Sequence, residues 1–180
     1  MNEKPRTIVA LAAEADDQLV WDQVRTLQPE LFAAGPISVK FAYFGAEGAL
    51  DTTRPYVATR WVTDADDMVD IMDHGRAGCV CGCYCPVGDI LEQALQETRQ
   101  GPVQAVVIIG DNFHGDFDKA IATAKQLREA GTRLFVLQQG RDDSPEFRVL
   151  AEVTGGGFAR GIRGPEAHHR GPSAFQENPK

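Results

Sequence analysis

Two groups of side chains in this 180-residue sequence have the types and spacing for chemistry. One is the run "CVCGCYCPVGDIL", which holds all four cysteines, Cys79, Cys81, Cys83 and Cys85. The other is a set of oxygen-bearing residues: Glu14, Asp16 and Gln18 in "LAAEADDQL", and Asp111 in "AVVIIGDN". Thiolates are soft ligands that suit Zn²⁺, whereas carboxylates and amide carbonyls suit Mg²⁺ and Ca²⁺. The two groups therefore point to different ions.

In an extended strand the four sulfurs would share one face, with Cα atoms about 6.6 Å apart at every second position. A four-thiolate zinc site needs the sulfurs to converge at about 2.3 Å from the metal. The run would have to curl, which Gly78 and Gly82 permit. The alternative is free thiols packed as small hydrophobes. A reactive thiol needs an electropositive neighbour, and Arg76 is the nearest in sequence. A Cys–His pair would need His74, His114, His168 or His169 beside a thiol. Neither a GxGxxG after the first strand nor a phosphate-binding loop is present, which argues against a nucleotide enzyme. The reading is a protein that is more a binder than an enzyme.

These residues must be held by the surrounding elements. "TIVALAA" (Thr7 to Ala13) and "AVVII" (Ala105 to Ile109) have the apolar, β-branched character of buried parallel strands. "ISVKFAYF" (Ile37 to Phe44), "YVATRWV" (Tyr56 to Val62), Leu134 to Leu137 and Phe158 to Gly161 complete the strands, the third polar enough for a sheet edge. Helical spacing runs over Gln18 to Leu31, Gly88 to Arg99, Lys119 to Ala130 and Pro145 to Val153, with another helix capped by Asp64 and ending at Gly75. Strands alternating with helices give a mostly parallel α/β sheet. Ligands of such sheets bind beyond the carboxyl ends of the strands. Glu14, Asp16, Asp17, Gln18, Asp111 and Asn112 all follow strands directly, and His114 and Asp116 lie in the loop just beyond.

The second half, "AVVIIGDN", "EAGTRLFVLQQG" and "LAEVTGGGF", resembles a von Willebrand factor A (VWA) domain, and by element order the resemblance extends from Thr7 to Gly161. It implies a Rossmann-like three-layer α/β/α fold with a six-stranded sheet ordered 3-2-1-4-5-6, the third strand an antiparallel edge. It also implies a metal-ion-dependent adhesion site (MIDAS), built in that family from DxSxS after the first strand, a Thr in a glycine-rich loop and an Asp after the fourth strand. Asp111 takes the last position. "CYCPVGDIL" matches the loop if Cys85 stands at the Thr. Glu14, Asp16 and Gln18 fall on DxSxS, or Ala12, Glu14 and Asp16 on a shifted alignment. Both serines are missing on either alignment. The implied function is a non-enzymatic protein-binding module with a degenerate or lost metal site, its binding residues Glu14, Asp16, Gln18, Cys85 and Asp111. No cofactor is certain; a divalent cation (Mg, Ca or Zn) could be held by Glu14, Asp16 and Asp111. The alternative is a thiol-based metal or redox protein using Cys79, Cys81, Cys83 and Cys85.

A net charge of -8 repels a phosphate backbone and argues against nucleic acid. No apolar run reaches the roughly 18 residues of a membrane span. Without a signal-peptide pattern at its start, the chain is expected in the cytoplasm, with an unknown protein partner. Residues 5–163 are expected to form the domain, and the Pro- and Gly-rich segment 164–180 a polar, disordered tail.

Overall fold

A computed structural model describes residues 4–12, 25–26, 32–33, 35–44, 56–68, 87–110, 112–139 and 144–161. The elements run β1 (Arg6–Ala12), β2 (Ser38–Phe44), β3 (Tyr56–Ala58), α1 (Val87–Thr98), β4 (Ala105–Gly110), α2 (Phe117–Glu129), β5 (Arg133–Gln138), α3 (Pro145–Thr154) and β6 (Gly157–Arg160). The six strands form one sheet in the order β3-β2-β1-β4-β5-β6. Only β3 is antiparallel, paired to β2; the other five strands are parallel.

Period-two alternation in the strands meets helical stripes across one face. Ile8 and Ala10 of β1, Val106 and Ile108 of β4, and Leu134 and Val136 of β5 pack against Ile90 and Leu91 of α1, Ala120, Ala124 and Leu127 of α2, and Phe147 and Leu150 of α3. The other face is buried at Val9, Leu11 and Ile109. Burial on both faces is why β1 and β4 are continuous apolar runs. That face opens at β5, where Phe135 is 39% exposed.

The Thr-Gly-Gly turn after α3 has a packing explanation. Thr154 Oγ1 accepts from the Leu134 backbone N–H at 2.8 Å and donates to the Ala151 carbonyl at 2.9 Å, stitching the helix end to β5. Gly155 takes the left-handed conformation (φ 72°) that ends α3. A Cβ on Gly156 would lie 1.8 Å from the Leu134 carbonyl oxygen, so no side chain fits there.

The third strand departs from the sequence expectation of a single run from Tyr56 to Val62. It leaves the ladder after Ala58, and Val62 rejoins through a reciprocal pair of 2.7 Å backbone bonds with Val39. The intervening residues have other partners. Arg60 pairs with Asp67 at 2.8 Å, and the Trp61 indole N–H reaches Glu97 at 3.2 Å. Asp64 caps the helical turn at 65–68 as expected, its Oδ1 accepting from the Asp66 N–H at 2.8 Å. The rest of that helix, most of the helix expected over Gln18 to Leu31, and the 164–180 tail lie outside the described residues. No helix among the described residues is long and apolar enough to cross a membrane.

Candidate functional site

Parallel register lines up the strand ends. Ala12 pairs with Gly110, Gly110 with Gln138, and Gln138 with Arg160, so one row crosses the carboxyl edge of the sheet. The ladder continues one step further, with the Gln139 N–H donating to the Gly110 carbonyl at 2.7 Å and the Gly161 N–H to the Gln138 carbonyl at 2.8 Å. The segments that begin at residues 13 and 111 thus depart from adjacent positions on one edge.

The entry to α1 is tied to the same edge. The Val87 N–H donates to the His114 carbonyl at 3.1 Å, joining the first residue of α1 to the loop after β4. That loop has two further anchors. The Phe113 N–H donates to Ser144 Oγ at 3.1 Å, and the Ser144 hydroxyl donates to Glu146 Oε2 at 2.9 Å. The Phe113 ring meets Phe117 and Phe147 edge-to-face, with centroids 5.6 and 6.2 Å apart. The amino ends of α1, α2 and α3 therefore converge on residues 112–116.

Asp116, considered in the sequence as a helper to a site, is the N-cap of α2, its Oδ1 accepting from the Lys119 N–H at 3.0 Å. Lys119 bridges to Glu92 at 2.7 Å. The Glu92 hydrogen bond and charge hold the Lys119 ammonium pKa above its ordinary value, with smaller support from Asp89 and Asp116. Carboxylates in the first turns of α1, α2 and α3 (Asp89, Asp118, Glu146) complement the helix dipoles and give this edge an acidic rim.

The residues singled out in the sequence, Glu14, Asp16, Gln18, Cys79, Cys81, Cys83, Cys85 and Asp111, all lie outside the described residues. Their described neighbours are Ala12 at the end of β1, Gly110 and Asn112 on either side of Asp111, and Val87, two residues after Cys85. Among the described residues no group of three or more His, Cys, Asp or Glu side chains is placed to hold a metal ion. Sequence reasoning passed over Ser144. Its place before Pro145 marks a helix start, but its bond to Phe113 spans 31 positions and leaves no local signal.

An open parallel sheet with an antiparallel edge strand, and helix starts gathered at its carboxyl edge, defines a Rossmann-like α/β protein. No protein-family model and no curated protein matches the sequence. Solved structures do match. The SpRpn10 VWA domain superimposes with a TM-score of 0.65 at 11% identity, covering 91% of each chain. The pilus adhesin SpaC from Lactobacillus rhamnosus GG, in its open conformation, gives 0.65 at 12% over 91% of this chain and 28% of the adhesin. Proximal thread matrix protein 1 from the mussel byssus, with a zinc-occupied MIDAS motif, gives 0.60 at 15% over 87% of this chain and 41% of that one. The chain has the fold of a VWA domain.

Proposed function

We propose that the protein is a non-enzymatic binding module of the VWA type that recognises a protein partner at the carboxyl edge of its sheet. The observation that supports this most is the register row Ala12–Gly110–Gln138 together with the Val87–His114 bond. These bring the chain positions that lead into Glu14, Asp16 and Gln18, into Asp111, and out of Cys85 to one edge. SpaC is an adhesin, and proximal thread matrix protein 1 carries zinc in its MIDAS, so this fold serves adhesion and metal binding elsewhere.

In this reading the metal site is degenerate. Three carboxylates (Glu14, Asp16, Asp111) would offset the charge of a divalent ion and weaken its pull on a partner's carboxylate. Cys85 in place of a hydroxyl ligand shifts preference from Mg²⁺ towards Zn²⁺. Recognition then rests on the carboxylates and the loop surface, with a cation in a minor role.

Photo-crosslinking in cells tests the location. A photoreactive residue at Asn112 samples the carboxyl edge, and one at exposed Gln100 samples the opposite edge. The expected result is a defined protein adduct from position 112 that is lost with Asp111→Ala, and none from position 100. Equal adducts from both positions, or an adduct insensitive to Asp111→Ala, would remove the carboxyl edge as the recognition surface.

A further inference from the structure

Ser144 stands at the N-cap of α3, before Pro145 at the first helical position, yet its side chain makes no capping bond to its own helix. A serine there ordinarily accepts from the second or third N–H of the helix. Here the Phe147 N–H is taken by the backbone carbonyl of Ser144 at 3.2 Å. The hydroxyl is turned away. It accepts from the Phe113 N–H at 3.1 Å and donates to Glu146 Oε2 at 2.9 Å. Ser144 is buried (5% exposed), and both of its bonds are partly buried.

The orientation is set by charge. The Glu146 carboxylate can only accept, so it fixes the Ser144 proton and turns a lone pair towards Phe113. The Phe113 ring is held by Phe117 and Phe147, and the His114 carbonyl by Val87. Phe113 is two residues from Asp111.

We infer that Ser144 is a positioning residue of the carboxyl edge: it gives up capping α3 to fix the loop that follows Asp111, with Glu146 orienting its hydroxyl. The inference rests on the proposed function for its purpose. Its test needs neither partner nor metal, so the two can fail separately.

Amide hydrogen exchange resolved to single residues tests it on the whole chain. Ser144→Ala should speed exchange at Phe113 about tenfold, from the loss of one hydrogen bond of ordinary net strength. The Phe147 amide should be unchanged, because its acceptor is a backbone carbonyl. Ser144→Thr, which keeps the hydroxyl, should restore protection at Phe113. Glu146→Ala should give a smaller rise, about threefold, since the acceptor remains but its orientation is freed. A conventional cap would give the reverse pattern, with loss of protection at Phe147 and none at Phe113, and would overturn the assignment. So would a Thr variant that fails to rescue, or uniform acceleration along the chain.

Discussion

The two edges of the sheet handle polar groups in opposite ways. At the amino edge a carboxylate is buried and fully engaged. Glu97, 3% exposed near the end of α1, accepts through one oxygen from Lys40 Nζ at 2.6 Å and Gln93 Nε2 at 3.3 Å. Its other oxygen accepts from Arg6 Nη2 at 3.1 Å and Trp61 Nε1 at 3.2 Å. The Arg6 guanidinium also stacks over the Trp61 ring, 4.0 Å from its centroid. At the carboxyl edge the buried Gln139 side chain, pressed against Gly161, has its Nε2 without an acceptor among the described residues. Hydroxyl and carboxylate groups there are spent on loops and helix starts. The contrast teaches a division of labour: the amino edge closes the fold with a buried ion-pair cluster, whereas polar side chains at the carboxyl edge anchor loops and helix starts, the edge proposed above as the recognition surface.

The largest effect should come from breaking the amino edge. Glu97→Ala leaves Arg6 and Lys40 without their carboxylate in a largely buried place. Breaking a buried ion pair by removing one partner costs roughly 3–5 kcal/mol, and the slight exposure of both cations puts the expected loss near the lower end, about 3 kcal/mol. Urea unfolding followed by Trp fluorescence measures it. A loss below about 1 kcal/mol, the range of surface pairs, would erase the contrast.

A smaller effect of opposite sign should appear at the carboxyl edge. Gln139→Met removes a buried donor that has no acceptor among the described residues and keeps the side-chain length. An unsatisfied buried group costs about 1–3 kcal/mol, so the variant should gain about 1 kcal/mol after repacking. Thermal unfolding checks the sign. A destabilised variant would mean that the amide is already used within the fold.

The smallest effect concerns Lys119, which is exposed. Glu92→Gln should lower the ammonium pKa towards its ordinary 10.5, readable by NMR titration of the side chain. Because the folded-state pKa is raised, any stability from this pair is present below the unfolded value and is lost as pH rises through the folded one. Stability near neutral pH should therefore not depend on titration of Lys119. An unchanged pKa in Glu92→Gln would assign the shift to Asp89 and Asp116 instead.

Fold was legible where short-range pattern decides it. "AVVII" and "TIVALAA" are apolar because both faces of those strands are buried, and Gly155 ends α3 in the left-handed turn that its sequence signals. Legibility failed where a partner lies far along the chain. Trp61 looked like one more strand residue, but it turns to Glu97, 36 positions on, and the strand breaks before it. Ser144 could be read as a helix start but not as the clamp on Phe113. Asp116 reads in the sequence only as a loop residue near a site, and its bond to the Lys119 N–H makes it the N-cap of α2. For Glu14, Asp16, Gln18, Cys85 and Asp111, the structure adds the placement of their described neighbours to what spacing suggested.

Thermal unfolding with and without divalent cations tests the degenerate site most directly. Wild type and Asp111→Ala would be compared in Mg²⁺, Ca²⁺, Mn²⁺ and Zn²⁺. An ion that binds only the native state adds about 2.7 kcal/mol at a hundredfold excess over its dissociation constant. With both serines and the Thr of the adhesion motif missing, the expected result is at most a small Mg²⁺ shift, no larger in wild type than in Asp111→Ala. A saturable Mg²⁺ stabilisation of that full size, abolished by Asp111→Ala, would contradict it and establish a working metal site.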